Sequence, residues 1–122
     1  MKRWLKNQKG LTLVELLAVI VILGVIAAIA VPSIGGIINN TKKSADVQSE
    51  ALIKDAAERF AYDTGKTSTQ SPLTVNIQTD LVATGYLKSL PTEQESGKAY
   101  NQVTVTFNAT SGWTATTITT VQ

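Results

Sequence analysis

Apolar and polar residues are sharply segregated along this chain. Between Glu15 and Lys42 no side chain is charged, and nearly every residue from Leu16 to Val31 is aliphatic. At ~1.5 Å per helical residue, positions 11–31 span about 30 Å, the thickness of a bilayer hydrocarbon core. A core helix of a water-soluble protein keeps a polar face, because only part of its circumference is buried; this run has none. The pattern predicts a membrane-spanning helix. It leads into Pro32-Ser33-Ile34-Gly35-Gly36, where proline removes a backbone hydrogen bond and each glycine costs up to ~1 kcal/mol relative to alanine. A weakened helix with a kink at the membrane surface is expected there.

From Thr41 the period changes. Ala45, Ser49, Leu52, Ile53, Ala56, Ala57 and Phe60 recur at spacings of three and four, which predicts an amphipathic helix. Lys42, Lys43, Asp46, Glu50, Lys54, Asp55, Glu58 and Arg59 fall mostly off that stripe and read as a solvated face or as contacts between subunits. Lys54 with Glu58 and Asp55 with Arg59 are i,i+4 pairs. Gly65, after Asp63-Thr64, suits a helix C-cap. One helix from Leu11 to about Thr64 is therefore predicted, about 80 Å long if unbroken.

The remainder reads as short strands and turns. Leu73-Thr74-Val75-Asn76-Ile77 alternates like a strand without an obvious partner, and 79–85 suggests a short helix with Thr79 or Asp80 as N-cap and Gly85 as its stop. Tyr86, Leu87 and Leu90 are expected to anchor this connection on the helix. Positions 99–107 and 112–121 are threonine-rich and β-branched, which predicts two antiparallel strands joined by a hairpin loop at 108–112. The sheet should lay one face on the helix stripe and expose a threonine-rich face.

Composition narrows the functional classes. The 122 residues have room for one membrane helix and one small domain. Formal charge is +2, but Lys2, Arg3, Lys6 and Lys9 precede the apolar run with no acidic residue among them. Removing those four cations from +2 leaves −2, so the basic balance belongs to the leader and argues for no nucleic-acid surface on the folded part. The basic leader holds the N-terminus in the cytoplasm. Cysteine and histidine are absent, which removes disulfides, thiolate metal sites and the commonest general base. No nucleophile and base are organised together, so no catalytic residue and no cofactor are assigned. Asn39-Asn40-Thr41 and Asn108-Ala109-Thr110 match the N-glycosylation pattern, for which a turn role is sufficient at Asn108.

Glu15 stands out, because a lone carboxylate in an apolar helix costs roughly 2.5–3.5 kcal/mol at the membrane centre on insertion scales. Gly10-Leu11-Thr12-Leu13-Val14-Glu15-Leu16-Leu17, with Pro32 downstream, resembles the processing motif of type IV prepilins and pseudopilins. A looser similarity to major pilin subunits continues through residues 80–91. The resemblance implies an α+β, type IV pilin-like fold with a long N-terminal helix packed on a small C-terminal antiparallel sheet. It implies a leader at 1–10, a transmembrane and filament-core helix at 11–40, and a globular head at 41–122. It further implies cleavage after Gly10 by a membrane prepilin peptidase, N-methylation of Leu11, and assembly into a homo-oligomeric filament by an ATPase and a platform protein. The family more often has phenylalanine where this chain has Leu11.

Cleavage would place a positive amine on Leu11, one helical turn from Glu15, and both would need counter-charges in an apolar filament. The resemblance implies that Glu15 of one subunit pairs with the Leu11 amine of a neighbour; otherwise Glu15 sits among headgroups at the cytoplasmic edge of the membrane. Gly24 and Pro32 are the family-based hinge candidates. Major pseudopilins hold calcium in a loop placed like that of Glu93 and Glu95, but two carboxylates fall short of the six to eight oxygens calcium takes, so no metal site is assigned. Within the family the alternatives are an adhesion or motility pilus, a competence pseudopilus for DNA uptake, and a secretion pseudopilus; DNA is a partner that no basic or aromatic surface marks. Outside it stand a membrane-anchored binding protein with an uncut leader and a secreted domain released by signal peptidase near Ala27, Ala28 or Ala30.

Overall fold

The computed structural model describes residues 2–122, with side chains from Gly10 onward. Helix α1 (Lys2–Asp63) runs unbroken through Gly24, Pro32, Gly35 and Gly36. Two compact units divide the chain, one ending at Asn39 and the other comprising Asn40–Gln122, here called the head.

In the first unit the apolar run is helical, and its large aliphatic side chains from Leu11 to Ile38 stand between 47% and 70% exposed. It is long and apolar enough to cross a membrane.

In the head, α1 ends at the glycine expected to stop it. Gly65 has φ +65°, its N–H donates to the Tyr62 carbonyl and the Lys66 N–H donates to the Ala61 carbonyl, each at 3.2 Å. This paired closure satisfies carbonyls that the helix end leaves open. Three strands follow, β1 (Leu73–Asn76), β2 (Tyr100–Asn108) and β3 (Gly112–Thr120), antiparallel in that spatial order. The partner missing for the first strand is β2, with Val75 opposite Val103. The predicted hairpin joins β2 to β3, with Phe107 opposite Trp113.

The expected helix at 79–85 is displaced. A single wide turn occupies Ile77–Val82, so Ile77 leaves the strand and Asn76, not Thr79 or Asp80, is the cap. The Asn76 side chain accepts from the N–H groups of Gln78 and Thr79, while Asp80 accepts the Asn76 N–H at 2.9 Å. The cap moves because the turn begins earlier than expected, so that its first free amides, those of Gln78 and Thr79, fall within reach of the Asn76 side chain.

The head core joins Ile53, Ala56, Ala57 and Ala61 of α1 to Val75, Ile77, Leu81, Tyr100, Val103, Val105, Trp113 and Ala115. Tyr86, Leu87 and Leu90 pack against it as anticipated, and Phe60 meets Tyr86 edge to face at 5.7 Å. The helix stripe needs one revision: Leu52 is 65% exposed, and Ala61 is buried in its stead. At ~100° per residue, 53, 56, 57, 60 and 61 form one face about 140° wide, and Leu52 lies about 40° beyond its edge at Ala56. Alanines at three of those positions let the sheet approach the helix closely.

Candidate assembly site

The residues of the processing motif are carried on one exposed helix. Gly10 and Leu11 both lie within α1 with open surroundings, Leu11 at 68% exposure. Glu15 follows Leu11 by one turn, a rise of ~6 Å, and is exposed. Among the described residues the ion pair present is Asp55–Arg59, at 3.0 Å, and Glu15 shares none with them. A helix aliphatic around its whole circumference forfeits roughly 1.5–3 kcal/mol for each large side chain left in water. Over the run that sums to tens of kcal/mol, so water strongly disfavours this surface. Gly24 and Pro32 lie along this same helix, away from the Gly10–Glu15 turn, and the structure brings no other candidate residue to that turn.

The head contains polar contacts that the sequence did not disclose. Asp46 is 7% exposed; its carboxylate accepts the Gln94 N–H at 2.6 Å and the Glu95 N–H at 3.1 Å. Asp46 was expected on the solvated face, and this is a correction. Counting back seven residues, two helical turns, from Ile53 would have placed it on the core face. The 91–98 loop it holds is closed by Glu93 N–H to the Lys98 carbonyl at 2.8 Å and Gly97 N–H to the Glu93 carbonyl at 2.7 Å. Glu93 accepts from the Ser96 hydroxyl and Glu95 is exposed. Among the described residues no group of three acidic, histidine or cysteine side chains converges on a metal position.

A second contact ties α1 to an edge of the sheet. Glu58 accepts the Ala115 N–H at 2.8 Å, and the Tyr62 hydroxyl accepts the Trp113 N–H at 3.0 Å. Acceptors four apart on a helix are separated by ~6 Å, and donors two apart on a strand by ~6.6 Å, so the two elements are in register. Edge strands present unpaired donors that invite foreign pairing; here the helix supplies the acceptors. Glu58 therefore serves β3, while Asp55–Arg59 is the i,i+4 pair that forms. Tyr86 donates its hydroxyl to Asp63 at 3.0 Å, and that bond raises its pKa.

Tyr100 is the unsatisfied member of the core. It is 2% exposed and its hydroxyl has no partner among the described residues. Burial, followed by the negative charges of Asp46, Glu50 and Glu93, pushes its pKa from 10.0 up to about 12. The unfolded chain therefore loses this proton first, so the associated stability is whole below pH 10 and drains away as pH rises toward 12. An orphaned buried hydroxyl costs about 1–3 kcal/mol. Tyr100→Phe is expected to raise Tm by several degrees at neutral pH and to flatten the alkaline loss, both read from thermal melts between pH 7 and 12. A lower Tm would mean that the hydroxyl has a stabilising partner.

Residues 5–31 match the family described as the prokaryotic N-terminal methylation motif. Two fimbrial proteins of Pseudomonas aeruginosa are each 35% identical to the chain over 100 residues, a stretch covering 82% of this chain and 62% of theirs. No solved structure matches the chain significantly. The motif, the long apolar helix bearing it, the three-stranded antiparallel head and the similarity to fimbrial proteins all support the type IV pilin family, although the chain spans under two thirds of the length of the fimbrial relatives it matches.

Proposed function

We propose that this chain is a structural subunit of a type IV pilus. It is made as a precursor with its N-terminus in the cytoplasm and α1 in the membrane, cut after Gly10 by a prepilin peptidase and methylated on Leu11. An ATPase and a platform protein then polymerise it into a surface filament. The observation that carries this reading is a helix apolar on every face, interrupted by a single carboxylate one turn from the Leu11 amine that cleavage would create. Helices packed against helices bury that surface, and the Glu15–Leu11 pair sets their axial register. Gly24 and Pro32 are the positions where the helix yields during packing. The fimbrial relatives favour a surface pilus over a secretion or competence pseudopilus, and the role is structural rather than catalytic.

The test is the intact mass and N-terminal sequence of protein sheared from the cell surface. A chain starting at methylated Leu11 is expected. A start beyond Ala30 would make the product a secreted domain, and an uncut chain confined to the membrane would make it an anchored monomer.

A further inference from the structure

Lys42 and Lys43 are the first charged residues after Glu15. Both are exposed, and as neighbours on α1 they stand about 100° apart around it. Spacing offers the two the same counter-ion. Asp46 lies four residues from Lys42 and three from Lys43, the separations at which helical side chains meet. The fold withholds it. Asp46 is 7% exposed and both of its oxygens are taken by main-chain donors, Oδ1 by the Gln94 N–H at 2.6 Å and Oδ2 by the Glu95 N–H at 3.1 Å. Glu50, seven residues beyond Lys43, is two turns away, a rise of ~10 Å. Among the described residues the ion pair present is Asp55–Arg59, and neither lysine belongs to it. Docking the 91–98 loop on α1 therefore leaves two adjacent ammonium groups open to an anion from outside the chain.

We propose that Lys42 and Lys43 bind the phosphate groups of anionic phospholipids at the outer surface of the membrane that α1 crosses. The inference rests on the membrane-precursor part of the pilus-subunit reading. The length of the uncharged stretch favours lipid over other anions. Positions 16–41 carry no charge, and at ~1.5 Å per helical residue they extend about 39 Å, close to the ~40–45 Å of a bilayer with both headgroup layers. A chain with Glu15 at one headgroup layer thus brings Lys42 and Lys43 to the other.

Lysine stems are long enough to lie along apolar surface while the ammonium reaches the headgroups. An anionic surface attracts each such cation within a Debye length of about 8 Å at physiological salt. Nucleic acid fits less well, because its hold grows with the number of phosphates met, and the next cation on the helix, Lys54, is 11 residues past Lys43. Drawing a subunit out of the membrane breaks these contacts, so lipid charge sets how tightly the precursor is held.

The experiment reconstitutes the full chain into vesicles of phosphatidylcholine, alone or mixed with phosphatidylglycerol, and acetylates its lysines with a membrane-impermeant reagent. Mass spectrometry reads each site, with Lys88 and Lys98, exposed in the head, as the internal reference. Labelling of Lys42 and Lys43 relative to that reference is expected to fall at least fivefold in the anionic vesicles and to recover in high salt. In Lys42→Gln the protection of Lys43 should weaken, because one cation holds the surface less well than two. Equal labelling in the two kinds of vesicle would overturn the contact. So would protection in detergent with inorganic phosphate, the mark of a general anion site, or in detergent alone, which would assign the lysines to another copy. A chain stripped from the vesicles by alkaline carbonate would instead remove the membrane-precursor reading, and this contact with it.

Discussion

Glu15→Ala is expected to leave membrane insertion and cleavage after Gly10 intact while reducing filament yield at least tenfold. The two effects have opposite signs. Removing a carboxylate from an apolar helix relieves about 2.5–3.5 kcal/mol on insertion scales, so the precursor should enter the membrane at least as readily. On the proposed pairing of Glu15 with a neighbour's Leu11 amine, the same change would strand that amine among aliphatic side chains. Two unit charges 4 Å apart at an effective dielectric of about 20 attract by ~4 kcal/mol, and each 1.4 kcal/mol is a factor of ten. Glu15→Gln tests whether charge matters, since it keeps the shape and a hydrogen-bonding end; it should fail almost as badly. Processed subunit in membranes and sheared filament on the surface are the paired readouts. Wild-type filament yield from Glu15→Ala would remove the pairing.

Gly112→Ala should destabilise the head by about 2–5 kcal/mol. Gly112 opens β3 at φ +77°, a conformation that costs an L-residue about 1–2 kcal/mol. An added Cβ would also lie 1.9 Å from the Tyr62 hydroxyl oxygen and 3.1 Å from the carbon bearing it. Tyr62 is 56% exposed and can swing away, but it then abandons the Trp113 N–H, whose loss of a partner adds about 1–3 kcal/mol. For a domain of this size the sum corresponds to a fall in Tm of roughly 8–40 °C. Combining Gly112→Ala with Tyr62→Ala should cost less than the two changes measured separately, because they share one contact. Thermal unfolding of the detergent-solubilised chain, followed by its β-sheet signal, reads all three variants; strict additivity would show that Tyr62 does not hold this edge.

How much of this could be seen in the sequence differs between the two units. The apolar run was legible because no packing detail is needed to read it: length and absence of polarity suffice, and the Gly10–Glu15 motif adds a family. In the head, β2 and β3 announced themselves through β-branched residues, and Gly65 marked the helix end. What stayed hidden depended on partners distant in the chain. Asp46 looks like any exposed acid until the Gln94 and Glu95 amides arrive from 48 and 49 residues away. Glu58 was assigned to Lys54 by spacing, yet the Ala115 N–H, 57 residues on, competes better, because an exposed i,i+4 pair contributes only a few tenths of a kcal/mol. The exposed Leu52 and buried Ala61 differ by orientation rather than hydrophobicity, and only the arriving sheet selects between them.

Asp46 reads the main chain of the 91–98 loop and ignores the side chains that loop displays. Any residue except proline keeps the N–H it needs, and Gln94 and Glu95 both point to solvent. The head can therefore change its surface chemistry at these two positions while the fold beneath is left as it was.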